Sequence, residues 1–413
     1  MAVKLILTQI MKNESHVAHR MLNSIKPIID GIVVIDTGST DNSVELVRKW
    51  GEDNGIETYV FERPFDDFQK SRDFSFEKAR EIFLSKKDGH TYHNFWLDFD
   101  ETIEILPSFN KNKIDRDLYM FNTYINSMKY TRNEMCRLDK PFKWYGPVHE
   151  FIISDDKNIT SGLLEGINVR VQMDGGSWKG NIPEKYLSHA HKLEEYINKD
   201  RKDPRWIFYT AQSYHDSACV PNVGNSIILP NAREENEERL RRSLKYYKER
   251  VSRPDGYFEE IYYAQFRIGT IMRVMEKPWN LCLNELMKAY SVDPVRGESV
   301  KAIIDYYLMV GEFHNAYLFS KFGKMNYHQK NPYPQRLLFV DEGLYAWKFL
   351  EVHAASSFYT NRKEEAKQSF LEMVKISKEQ PHLFTPDDLK KIEMNHNAFT
   401  KAPGPTHQLT PAR

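Results

Sequence analysis

The apolar positions switch between two periods along the first part of the chain. VKLILTQI (Val3 to Ile10) is a continuous apolar run of strand length. SHVAHRMLNSI follows, with Val17, Met21 and Ile25 at helical spacing and Ser15 as candidate N-cap. GIVVID (Gly31 to Asp36) is a second apolar strand, and it ends on an acid. TDNSVELVRKWGEDNG predicts a helix capped near Thr40 and stopped at Gly55, and IETYVFE predicts a third strand. FWLDFD, DLYMFNTYI from Asp117 and GINVRVQM (Gly166 to Met173) supply later strands. Strand and helix in alternation predict an α/β domain with a mostly parallel sheet and helices on both faces.

Past about residue 180 strand signals stop and helical periodicity takes over. EERLRRSLKYYKERV puts Leu240, Leu244, Tyr247 and Val251 on one stripe. YFEEIYYAQFRIGTIMRVM, NELMKAYSVDP and VKAIIDYYLMVGEFHNAYLFSKF are further amphipathic segments with short breaks, the pattern of helix-turn-helix repeats. The predicted division is an α/β domain over 1–178, an all-α helical-repeat domain over 179–390, and a loosely ordered Pro-rich tail over 391–413.

Charge changes this picture little. The 413 residues carry 58 basic and 58 acidic side chains, so nothing global points to nucleic acid or a membrane surface. A local basic run, Arg241, Arg242, Lys245 and Lys248, lies off the apolar stripe and reads first as a solvated face. Were the acceptor a nucleic acid or an acidic protein, this is where it would dock. Cys136, Cys219 and Cys282 have no disulfide or metal spacing, as expected in a reducing compartment. No run is long enough for a signal-peptide core or a membrane span, so the expected location is the cytoplasm.

Chemistry concentrates at predicted strand ends, where open parallel sheets bind ligands. Asn13 and Glu14 follow the first strand. Asp36, Gly38, Ser39 and Asp41 follow the second, and Asp98, Asp100 and Glu101 end FWLDFDE. Three polar clusters on one edge are hard to explain as three solvated ends. Like charges that close together repel and are costly to desolvate, so something positive should sit among the last three. Alternation along a strand would put Asp98 and Asp100 on one face.

MKNESHVAHRMLNSIKPIIDGIVVIDTGSTDNS, DDFQKSRDFSFEKA and FWLDFDE resemble, in that order, the family 2 glycosyltransferases of GT-A fold. KWYGPVHE and DPRWIFYTAQSYHD extend the likeness to a subgroup whose transferase domain precedes tetratricopeptide-like helices. The resemblance implies an inverting, metal-dependent hexosyl- or pentosyltransferase that uses a nucleotide-sugar, a UDP-sugar first among them. It implies that Asp36 holds the base or ribose, with Asn13, Glu14, Gly38 and Asp41 shaping the pocket. It makes Asp98 and Asp100 a D-x-D pair for a hard cation such as Mn²⁺ or Mg²⁺ and places Arg72 in the donor site, while Asp73 departs from the family's Asn. His149 is the implied third metal ligand and Glu150 the implied base, with Asp100 and Glu101 as rivals for base and ligand. Trp144 could stack on a sugar, although buried aromatics are commoner.

Glycans, protein side chains and modified DNA bases all remain acceptors, and the helical domain could pair with a second copy of the chain. The alternative is a nucleotide-binding helical-repeat interaction protein whose transferase domain is inactive. A nucleotidyltransferase would want a glycine-rich loop where TQIMKNES has none.

Overall fold

The computed structural model describes residues 2–199, 201–219, 227–332 and 335–400. It divides into two compact units. The first runs to Ile125 and resumes over Tyr130–Lys185; the second holds Asn126–Lys129 and the chain from Tyr186 onward.

In the first unit, β1 (Val3–Met11), α1 (Ser15–Ile25), β2 (Gly31–Asp36), α2 (Ser43–Asn54), β3 (Glu57–Glu62), α3 (Phe68–Phe83) and β4 (Thr91–Phe95) alternate as the pattern predicts. Gly55 closes α2 in the left-handed conformation at φ 63°, where a Cβ would be strained. Ser15 opens α1, but its hydroxyl donates to Asp41 (2.7 Å) rather than capping the helix. β5 (Glu101–Ile105), β6 (Leu118–Ile125), β7 (Met128–Arg137), β8 (Phe142–Tyr145), β9 (Phe151–Ser154) and β10 (Ser161–Val171) follow.

The strand order is β3-β2-β1-β4-β7-β6-β10-β5. The first four strands are parallel, β4 meets β7 antiparallel, and β10 is parallel to β6 but antiparallel to β5. The sheet is therefore mixed rather than mostly parallel. The reason is connection length: β7 begins almost where β6 ends, and so short a link allows only a hairpin.

Helices do cover both faces. Leu5, Leu7, Ile32 and Val34 pack against Val17, Met21 and Trp50 of α1 and α2. Ile6, Val33 and Ile35, the alternate positions, pack against Ala79 and Phe83 of α3.

FWLDFD corrects a second expectation. The strand is TYHNF, and Asp98 and Asp100 lie in a turn beyond it, closed by the Glu101 amide on the Asp98 carbonyl (3.0 Å). The two acids therefore do not share a strand face.

The second unit is nearly all helix: α4 (Ile182–Lys199, which crosses the division), α5 (Pro204–Asp216), α6 (Arg233–Ser252), α7 (Phe258–Val274), α8 (Trp279–Val292), α9 (Glu298–Met309) and α10 (Phe313–Tyr327). A two-residue strand, β11 (Val340–Asp341), pairs with Met128 and Lys129; α11 (Phe349–Tyr359), α12 (Lys363–Glu379) and α13 (Pro386–Thr400) complete it. From α5 to α13 each helix packs on the next, as in stacked helix pairs.

α13 also corrects the predicted tail, because residues 391–400 are helical. Thr385 and Asp388 cap its start reciprocally, and Phe399 is buried against Phe358 and Phe370. The KAPGPTHQLTPAR segment lies outside the described residues. No described helix is long and apolar enough to cross a membrane.

Candidate active site

The first two strand-end clusters interlock. Asn13 turns the chain after β1 with a left-handed backbone at φ 57°, which asparagine tolerates better than most residues. Its amide donates to Ser39 Oγ (2.9 Å), and its side-chain oxygen accepts from the Thr40 amide (2.7 Å). The Glu14 amide donates to Ser43 Oγ (2.8 Å).

Asp36 is buried. One carboxylate oxygen accepts from the Gly38 and Ser39 amides (3.2 and 3.0 Å), and the other, Oδ1, is buried without a hydrogen-bond partner. Gly38 turns at φ 103° in open space, so the glycine serves the backbone conformation. Burial would raise Asp41, but hydrogen bonds from Ser43 and Ser15 hold it down at about 2. Asp41 thus braces the turn as an anion.

The positive charges that the acids of FWLDFDE require are arginines. Arg72, on α3, is buried; its Nε donates to Glu150 Oε1 (2.8 Å) and its Nη2 to Asp98 Oδ1 (2.9 Å). Its guanidinium lies 4.9 Å from the Trp144 ring centre. Loss of water lowers the Arg72 guanidinium, yet Asp98 and Glu150 outweigh it and the charge is held. Loss of water raises Asp98, while Arg72 and then Arg132 bring it below the usual carboxylate range. Glu101, buried, accepts from Arg132 Nη2 (2.8 Å). Arg132 also pairs with buried Glu134, whose carboxyl burial pushes up to about 8.

Asp100 is the acid with no such partner. It is 6% exposed, its Oδ2 has no hydrogen-bond partner, and burial, then Asp98 and Glu101, push it up to about 7. Gly175 crosses directly over it, and Gly176 over Glu14. A Cβ on Gly175 would stand 3.0 Å from Asp100 Cβ and 3.4 Å from Glu14 Oε2; one on Gly176 would stand 2.9 Å from Glu14 Oε1. The Gly176 amide donates to Glu14 (3.0 Å), and Arg20 and His16 hold Asp174 just before the turn. Burial raises the Glu14 carboxyl and lowers the Lys185 ammonium, which faces Asp98 and Asp100.

The predicted metal trio is not assembled. Among the described residues no three His, Cys, Asp or Glu side chains form a metal-holding group. Asp98 is taken by Arg72, and His149 sits in the β8–β9 loop with left-handed backbone at φ 54°. Asp100, with an orphaned buried oxygen and a hard donor atom, does fit a divalent cation.

Trp144 is buried against Trp96 and Phe76, which excludes sugar stacking. Asp73, the departure from the family pattern, accepts from the Trp144 amide (2.7 Å), and Gln69 accepts from Gly146 (3.1 Å). One turn of α3 therefore anchors the hairpin that carries Glu150.

Sequence reasoning missed Asp73 as an anchor, Arg132, Glu134, Lys185 and the Gly175–Gly176 crossing. Of these only the glycine pair carries a local signal. The basic run of α6 is interleaved with acids: Arg241 donates to Glu238 (3.0 Å) and Arg242 to Glu194 (3.2 Å) and the Tyr214 hydroxyl (2.8 Å). Arg241 and Arg242 are thus paired, and Lys245 and Lys248 are exposed.

Across curated proteins, the chain is 24% identical over 253 residues to glycosyltransferase SunS of Bacillus phage SPbeta. It is equally similar to the SPbeta prophage-derived glycosyltransferase SunS of Bacillus subtilis (strain 168). This chain is similar to a glycosyltransferase. The match covers 58% of it and 53% of each relative, so the chain spans about half the length of the curated relatives it matches.

No family model matches. Among solved structures, S. aureus TarS aligns at 10% identity and TM-score 0.32, over 70% of this chain and 54% of that one. YrrB, a TPR protein with an unusual peptide-binding site, aligns at 10% identity and TM-score 0.30, over 48% and 82%. Scores this low fix neither fold nor function.

Proposed function

We propose that the chain is an inverting, metal-dependent glycosyltransferase, moving a hexose or pentose from a nucleotide-sugar to an acceptor nucleophile. The carrying observation is the convergence of Asn13–Glu14, Asp36–Asp41 and Asp98–Asp100 at the carboxyl edge of parallel strands, in a chain similar to glycosyltransferases. UDP is the nucleotide that the sequence resemblance implies.

The buried orphan oxygen of Asp36 would accept a donor group of the base or ribose, with Asn13, Gly38 and Asp41 fixing the turn around it. Mn²⁺ or Mg²⁺, when bound at Asp100 beside Asp98, supplies charge neutralisation at the diphosphate. Arg72 holds Asp98 and Glu150 in one frame. The acceptor nucleophile attacks the anomeric carbon, the bond from that carbon to the diphosphate oxygen breaks, and Glu150 takes the nucleophile's proton. Buried, free Cys136, Cys219 and Cys282 suit a reducing cytoplasm.

The test is a hydrolysis and binding screen of nucleotide-sugars with Mn²⁺ or Mg²⁺, followed by intact mass of candidate acceptors. Turnover of one donor supports the proposal. Binding of none overturns it, and binding without turnover of any would favour a nucleotide-binding interaction protein.

A further inference from the structure

Arg132 lies on β7, outside every motif that carries the resemblance. It nevertheless ends a continuous chain of polar contacts. Glu150 Oε1 accepts from Arg72 Nε, and Arg72 Nη2 donates to Asp98 Oδ1 (2.8 and 2.9 Å). The Asp98 amide donates to Glu101 Oε2 (3.0 Å), and Glu101 Oε1 accepts from Arg132 Nη2 (2.8 Å). Beyond Arg132 stands Glu134, 1% exposed.

The Glu101 carboxylate thus bridges two donors, one on each oxygen. On the Asp98 side it closes the turn from within, because the Glu101 amide returns the bond to the Asp98 carbonyl. A glutamate in such a turn can rotate away into solvent. This one is buried, with Oε1 held by Arg132 Nη2 and Oε2 by the Asp98 amide.

We propose that Arg132 is a positioning residue for the transfer reaction, acting through Glu101 to fix the Asp98 turn on the donor side of the site. The inference rests on the glycosyltransferase reading. Arg132 touches neither donor nor acceptor in it; its role is that of a residue that orients a ligand-binding carboxylate from behind.

The test measures donor KM, kcat and thermal unfolding for Arg132→Met, Arg132→Lys and the double variant Arg132→Met/Glu101→Gln. A merely structural residue would lower the melting temperature and the active fraction and leave donor KM unchanged. We expect Arg132→Met to raise donor KM roughly tenfold or more. Arg132→Lys should return it to within about threefold, since one ammonium still meets Glu101.

Arg132→Met leaves Glu101 and Glu134 buried without their cation and can fail to fold. The double variant removes one charge of each sign and is then the protein to read, with the same rise in KM expected. Wild-type donor KM in a folded Arg132→Met protein, or in the folded double variant, overturns the proposal. A wild-type protein that binds no nucleotide-sugar overturns the glycosyltransferase reading instead, and the two failures are distinct.

Discussion

At the scale of single residues, the site is a set of acids sorted by partner. Asp98 and Glu150 share Arg72, Glu101 has Arg132, and Asp100 has neither. The acids themselves were legible, because three in four residues at the end of an apolar run is conspicuous. Their partners were not. Arg72 and Arg132 stand 26 and 31 residues from the acids they meet, and no local pattern links them. Local pattern therefore points only to a metal for the missing positive charge, whereas arginines meet Asp98 and Glu101.

The general-base assignment can be tested residue by residue. Glu150→Gln keeps a carbonyl oxygen for Arg72 Nε but cannot take a proton. Donor affinity should stay within a few-fold of wild type, and turnover should fall by roughly two to four orders of magnitude in steady-state transfer assays. Normal turnover in Glu150→Gln alongside a dead Glu101→Gln would move the base to Glu101.

At the scale of elements, the parallel strands β1 to β4 and the helices around them were legible because period and length agree there. The hairpin geometry of β6 and β7 and the end of β4 were not. Both depend on where a short link forces the chain to turn back.

Asp73 on α3 is the anchor that the pattern obscured. Asp73→Ala should leave the Trp144 amide without its partner, at a cost of about 1–3 kcal/mol. Hydrogen exchange should report this as selective loss of protection at Trp144 and its neighbours in β8, while β1 and β2 keep theirs.

The helical repeats carry a pH signature of their own. His353, on α11, is buried and bonds Ser369 Oγ (3.0 Å), with Glu365 3.6 Å away. Burial, then Lys324, depresses it to about 4, against about 6.5 unfolded. Between those values the unfolded chain binds a proton that the folded chain refuses, so stability should fall as pH drops from about 6.5 to about 4. Denaturant unfolding across that window should show a shallower slope in His353→Gln. An unchanged slope would mean that another group sets the acid limb.

At the scale of the whole molecule, an α/β unit and a unit of stacked helices follow one another, as the change in periodicity past residue 180 implies. The helical character was legible from apolar stripes. Its buried ion pairs were not: Arg250 and Arg296 are fully buried, paired to Glu260 and to Glu259 and Glu298. Charged residues read as surface unless their partners are known.

The central claim concerns the first unit, where nucleotide-sugar and cation are proposed to meet at Asp36 and Asp100. The measurement that tests it most directly is calorimetric titration of UDP, with and without Mn²⁺, into the full chain and into Asp100→Ala. We expect binding to the wild-type chain that strengthens with Mn²⁺, and loss of that enhancement in a folded Asp100→Ala protein. Wild-type, Mn²⁺-enhanced binding in Asp100→Ala would contradict the account.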